Sequence, residues 1–193
     1  MERDQNFLLF NYFRPTMYLE SYKKVNLEAL KNSGIKLILC DMDNTLIRFD
    51  ERIPSIDVIN FVRKVNEMGF EFVIFSNNIK SRVTKCAQKA GVKNYFWNCK
   101  KPFLGKLKVV KKLFRYKNNE IILIGDQLIT DVFVANRANI KSILVEPLSK
   151  TIIGDNKIVR FIEKFIFKTM NRKNLLHEGF YNESEYEDGY EIL

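Results

Sequence analysis

Two carboxylates close a strand-like apolar run, Ile38-Leu39-Cys40-Asp41-Met42-Asp43-Asn44-Thr45-Leu46. Side chains two apart on a strand point the same way, so Asp41 and Asp43 converge on one small volume. Two like charges that close are costly unless a cation or a shared proton relieves them. Mg²⁺ is the natural relief, a hard ion that takes carboxylate oxygens and keeps several waters. The pair therefore points to phosphoryl chemistry.

The surrounding pattern says how such a pair is held. Residues 35–40 are short and almost entirely apolar, as a strand buried on both faces should be. Residues 55–68 read as a helix: Pro54 precedes it, Ser55 can cap it, Asp57 suits its first turn and Gly69 follows its end. Strands are then expected at 71–76, 95–98, 121–125 and 142–145, and helices at 80–90, 104–116 and 129–138. Strands alternating with helices at this spacing predict an α/β fold with a parallel sheet flanked by helices. In such sheets the ligand crevice lies at the carboxyl ends of the strands.

The polar clusters fall at those ends. Asp41 and Asp43 follow the first strand, Ser76-Asn77-Asn78 the second, and Lys100-Lys101-Pro102 comes shortly after the third. Gly125-Asp126 and then Thr130-Asp131 follow the fourth. Taken singly, Ser76 or Asn78 reads as a helix cap, Lys101 as a solvated lysine and Gly-Asp as a turn. Four clusters at four successive strand ends argue instead for one site.

With this order and spacing the chain resembles the haloacid-dehalogenase (HAD) superfamily. Asp41-Met42-Asp43-Asn44-Thr45 looks like its DxDxT motif, and Ser76-Asn77-Asn78 its second motif. Lys101 looks like the motif lysine, and Gly125-Asp126 with Asp131 like the GDxxxxD form of the last. More narrowly, Arg14-Pro15-Thr16-Met17-Tyr18, Ser-Asn-Asn, Lys-Pro, Gly-Asp-Gln-Leu-Ile-Thr-Asp-Val and Val145-Glu146-Pro147-Leu148 resemble the YqeG-type phosphatases of subfamily IIIA. That group is similar to enzymes that dephosphorylate phosphatidylglycerophosphate. The resemblance implies a Rossmann-like HAD core and a role for each residue. Asp41 is the expected nucleophile, forming an aspartyl-phosphate, and Asp43 the acid and base. Mg²⁺ is expected on the Asp41 carboxylate, the Asp43 backbone carbonyl and the Asp126 carboxylate. Ser76, Asn77 and Lys101 are expected to bind phosphate, Lys101 also serving in catalysis. Asp131 and Thr45 are expected to support the site from behind.

Residues 45–76 and 79–100 separate the first three motifs, and neither stretch has room for a large cap domain. An uncapped site suits a phosphate carried on something large, such as a phospholipid, a protein or a nucleic-acid end. The division expected is an aromatic and basic N-terminal extension over 1–35, the phosphatase core over 36–150, a basic amphipathic helix over 151–177 and an acidic, disordered tail over 178–193. In that helix Ile158, Phe161, Ile162, Phe165, Ile166 and Met170 recur at helical spacing among Lys and Arg. It fits packing on the core or docking on an anionic membrane. Residues 7–13 form a second aromatic segment able to meet lipid.

Composition narrows the rest. Hydrophobic residues make up 46% of the 193, which excludes a disordered chain. No apolar run nears the ~20 residues that span a bilayer, and the start does not read as a secretory signal. Cys40, Cys86 and Cys99 lack CxxC spacing, and none has an Arg placed for a cysteine-phosphatase loop. Free thiols in a cytoplasmic protein, with peripheral contact at the inner face of the membrane, are expected. The net charge is +9, which attracts acidic lipid, phosphorylated substrates or nucleic acid. Three functions follow in order: a phosphatidylglycerophosphate phosphatase; a HAD phosphatase for another phosphomonoester, including a nucleic-acid 3′-phosphate or a phosphoprotein; and a non-catalytic binding protein on this scaffold, disfavoured because each catalytic residue is present.

Overall fold

In the computed structural model, residues 10–149, 157–177 and 179–181 are described. Six parallel strands form one sheet in the order β1-β6-β5-β2-β3-β4. They are β1 (Met17–Leu19), β2 (Leu37–Cys40), β3 (Glu71–Phe75), β4 (Asn94–Phe96), β5 (Ile121–Gly125) and β6 (Lys141–Val145). All four residues of β2 are buried, because it lies between β3 and β5 with helices over both faces. The chain runs outward from β2 through β3 to β4, then crosses back to β5 on the other side. That reversal opens a crevice at the carboxyl end of β2, where ligands bind in open α/β sheets.

Helices α1 (Leu27–Asn32), α2 (Ile56–Glu67) and α3 (Lys80–Ala90) cover one face. Val58, Val62 and Val65 of α2 and Val83, Ala87 and Ala90 of α3 pack there on Ile38, Cys40, Phe72 and Ile74. Helices α4 (Gly105–Phe114) and α5 (Phe133–Arg137) cover the other, through Leu107, Val110, Val134 and Ala135. The three cysteines are buried and unpaired.

The sheet begins earlier than the sequence pattern suggests. Met17–Leu19, in the segment read as an extension, pairs in register with Ile143, Leu144 and Val145 and forms the edge strand. Three residues are too few to display a period, so only their burial marks them. Asn136 ties down the approach to β1, its Nδ2 donating to the carbonyls of Tyr12 at 2.8 Å and Arg14 at 2.9 Å. The helix expected over 129–138 is also divided: a π-helical turn, Leu128–Val132, precedes α5.

Helix α6 (Lys157–Arg172) packs beside β1. Ile166 and Met170 are buried with Tyr18, Leu128, Val132, Leu144 and Leu176, and Phe10 and Phe13 join them. Phe161, Ile162 and Phe165 are not covered, at 75%, 42% and 64% exposure. The helix thus divides its apolar residues between the core and solvent. The side chain of Ile158, residues 7–9 and the acidic tail other than 179–181 lie outside the described residues. Among the described residues, no helix is long and apolar enough to cross a membrane.

Candidate active site

Asp41 extends the β2 ladder by one residue, its N–H donating to Ile124 O at 2.8 Å. It therefore stands beside Gly125, next to Asp126. The chain then closes into a tight loop in which Leu46 and Ile47 both donate to Met42 O, at 2.9 and 3.1 Å. Asn44 takes φ 60° there, the left-handed region that Asn tolerates better than most residues. Thr45 is buried, and its hydroxyl donates to Asp126 Oδ1 at 3.1 Å. The order Asp-Asn-Thr thus serves the turn and fixes the neighbouring acid.

Lys101 arrives from the loop after β4 with its side chain 1% exposed. Its Nζ lies 2.7 Å from Asp41 Oδ1 and 2.6 Å from Asp131 Oδ1. Asn77 fixes that loop. Its Oδ1 accepts from Lys101 N at 2.7 Å and its Nδ2 donates to Lys101 O at 3.1 Å. Ser76 is buried, its hydroxyl oxygen accepting from Asn78 N at 3.1 Å.

The π-helical turn folds Asp131 back over the end of β5. A Cβ on residue 125 would stand 2.2 Å from Asp131 Cγ, so the close approach requires glycine. Asp131 Oδ2 accepts from Gln127 N at 3.1 Å, which aims Oδ1 at Lys101.

The Asp43 side chain turns away from this cluster. Asn78 Nδ2 donates to its Oδ2 at 2.9 Å, and Arg82 donates to its Oδ1 from Nε at 2.8 Å and Nη2 at 2.6 Å. Asp41, Asp43, Ser76, Asn77 and Lys101 all line one cleft of about 330 Å³, walled by Phe49 and Ile79. Asp126, Asp131 and Thr45 are buried against it. The structure thus brings together every residue singled out in the sequence.

The profile of the family described as mitochondrial PGP phosphatase matches residues 7–148, a span that holds the whole site. The chain belongs to that family. It is 29% identical over 169 residues to the probable phosphatase YqeG of Bacillus subtilis (strain 168), covering 86% of this chain and 96% of that protein. It is 27% identical over 191 residues to phosphatidylglycerophosphate phosphatase 1, chloroplastic/mitochondrial, of Arabidopsis thaliana, covering 90% of this chain and 51% of that protein. The chain therefore spans about half the length of the plant relative. Among solved structures, 3-deoxy-D-manno-octulosonate 8-phosphate phosphatase from Moraxella catarrhalis, in complex with magnesium, phosphate and KDO, gives a TM-score of 0.46 at 17% identity, over 78% of this chain and 96% of that one. This member of the PGP phosphatase family is a phosphatase.

Its site carries more negative than positive charge. Burial pushes the Asp41 carboxyl up to about 7 despite Lys101, and Asp131 adds to the rise. Burial, then Asp41 and Asp131, hold Asp126 well above the usual carboxylate range. Burial alone would lower Lys101, but its two carboxylate partners hold its ammonium above the ordinary lysine value. Three carboxylates against one ammonium leave an excess that a divalent cation would cancel. One carboxylate oxygen from each of Asp41, Asp126 and Asp131 lies within 4.8 Å of the others. Asp126 Oδ2 is buried without a hydrogen-bond partner, a position that a metal ligand would satisfy. The donor set is all oxygen, which fits a hard cation.

Sequence reasoning missed Arg82 in this phosphatase. The available signal is its position: it is the third residue of α3, where a cation opposes the helix dipole. An unfavourable charge there calls for an acid, and Asp43 supplies it.

Proposed function

We propose that this phosphatase hydrolyses a phospholipid phosphomonoester, phosphatidylglycerophosphate, with Mg²⁺ and an aspartyl-phosphate intermediate. Asp41 attacks phosphorus as the P–O bond to the leaving group breaks, and Asp43 gives that alkoxide a proton. Water then attacks phosphorus, loses a proton to Asp43 and releases phosphate, which restores Asp41. Lys101 neutralises the transferring phosphoryl group. Ser76 offers its hydroxyl to a phosphate oxygen. Asn77 assists through its backbone N–H, since its side chain is engaged with Lys101. Asp41 and Asp126, with the Asp43 carbonyl, would hold Mg²⁺, which supplies charge neutralisation and orients the phosphate. Asp131 aims Lys101.

The observation that carries the lipid reading is the rim of the cleft. The loops at the carboxyl ends of β2, β3 and β4 expose Ile53 (57%), Ile79 (66%) and Phe103 (70%). Helix α6 joins that end, since Ile129 N, just beyond β5, donates to Glu163 Oε1 at 3.1 Å. Phe161, Ile162 and Phe165 flank Glu163. A site without a large cap domain, with apolar side chains exposed on loops at the same end of the sheet, suits a phosphate presented at a membrane surface, here the cytoplasmic face.

The test is phosphate release from short-chain phosphatidylglycerophosphate and from a 3′-phosphorylated oligonucleotide. The lipid should be preferred by at least tenfold, and Asp41→Asn should abolish both activities. Preference for the oligonucleotide overturns the lipid assignment, and full activity of Asp41→Asn overturns the mechanism.

A further inference from the structure

Arg82 uses its guanidinium on two parts of the site at once. Nε and Nη2 hold Asp43 Oδ1 at 2.8 and 2.6 Å. Nη1 donates to Glu51 O at 2.8 Å, and Nη2 also to Phe49 O at 2.8 Å and Arg48 O at 3.3 Å. Its Cζ lies 5.3 Å from the centre of the Phe49 ring. Both ion-pair partners are largely shielded, with side chains 19% and 15% exposed. The planar fork of arginine matches several oxygens in fixed directions, which a lysine cannot do. The segment after the β2 loop has no regular structure of its own between Asp50 and Ser55. Its position beside the cleft therefore depends on side-chain bonds of this kind.

We propose that Arg82 is the positioning residue for the leaving-group side of the cleft. It aims the Asp43 carboxylate and, through the Arg48, Phe49 and Glu51 carbonyls, fixes the wall that Phe49 presents to the substrate. Among the described residues, Arg82 makes no hydrogen bond to the phosphoryl side, built from Asp41, Ser76, Lys101 and Asp126. The two halves of the site are therefore separable by mutation. The proposal rests on the acid role of Asp43.

A leaving group that departs readily as an anion needs little help from an acid, whereas an alkoxide needs much. The experiment compares p-nitrophenyl phosphate with benzyl phosphate for the full chain with Mg²⁺, in wild type, Arg82→Ala, Asp43→Asn and the double variant. Arg82→Ala should lower kcat/KM, which reports only the steps up to the aspartyl-phosphate and so not the later use of Asp43 as base, about threefold or less on p-nitrophenyl phosphate and about a hundredfold on benzyl phosphate, in the range expected for general-acid loss. The retained p-nitrophenyl activity shows that the variant is folded. Adding Arg82→Ala to Asp43→Asn should leave the ratio of the two substrates unchanged. Equal loss on both substrates, or a further change of the ratio in the double variant, overturns the role of Arg82. If Asp43→Asn itself keeps the wild-type ratio, the acid role of Asp43 is what fails.

Discussion

Asp41, Asp126 and Asp131 share a buried space with the one ammonium of Lys101, and that imbalance has a measurable cost. Asp41 is pushed from an ordinary 3.8 up to about 7 by burial, with Asp131 outdoing part of what Lys101 returns. Between those values the folded chain keeps a proton that the unfolded chain has lost. Metal-free stability is then full below the unfolded value and falls as pH rises through about 7, by up to about 4 kcal/mol at ~1.4 kcal/mol per unit. Thermal unfolding in EDTA should give a lower Tm at pH 8 than at pH 5.5. Mg²⁺ should raise Tm more at pH 8, where it replaces the missing proton; a metal-free Tm that rises with pH contradicts this account. Gly125 is the matching steric test. With Asp131 Cγ 2.2 Å from the Cβ it would gain, Gly125→Ala should displace Asp131, release Lys101 and lower p-nitrophenyl phosphate turnover by tenfold or more. Wild-type turnover in that variant would mean the acid has room to move.

At the scale of elements, legibility in the sequence followed burial and length. Strand β2 is four buried apolar residues ending in Asp41, and both its run and its acids are plain in the sequence. Helix α3 was read to the residue, because Gly91 takes φ 74° and closes it. The π-helical turn was missed because its cause is not local: Phe133 N bonds Leu128 O five residues back, widening the turn that carries Asp131 inward. Strand β1 was missed because its three residues gain meaning only beside β6. The site residues were legible as types at strand ends, whereas the partners of Asp43 were not, since Arg82 meets it across 39 residues of chain. Helix α6 shows the same limit, for amphipathic spacing does not say which apolar residues meet the core. The structure separates them: Met170 is 0% exposed and Phe165 64%. Met170→Ala should therefore cost about 2–5 kcal/mol in urea unfolding, while Phe165→Ser should cost less than about 0.5 kcal/mol. Equal costs would place both side chains in the core.

For the whole molecule, the question is whether charge and exposed apolar surface act together. The net charge of +9 is unevenly spread: residues 178–193 hold six acids and no Lys or Arg, and the remainder carries 32 basic against 17 acidic residues. Lys164 and Lys168 are exposed on α6 between and beside Phe161, Ile162 and Phe165, while Arg52, Lys80 and Lys100 are exposed next to the apolar rim of the cleft. A basic residue near an anionic bilayer contributes about 1 kcal/mol. Burying a phenylalanine side chain fully contributes roughly 1.5–3 kcal/mol, and an interfacial position gives part of that. A few such groups suffice for reversible docking that turns the open cleft towards the lipid. Vesicles containing phosphatidylglycerol should sediment the full chain, and neutral vesicles should not. Raising salt from 0.1 to 1 M should release much of it, since screening shortens the reach of each charge from about 10 to about 3 Å. The double variant Phe161→Ser with Phe165→Ser should lose tenfold or more in vesicle affinity while keeping its Tm and its turnover of p-nitrophenyl phosphate. Unchanged vesicle binding by that variant would remove α6 from the docking surface, and binding to neutral vesicles as strong as to anionic ones would remove the charge.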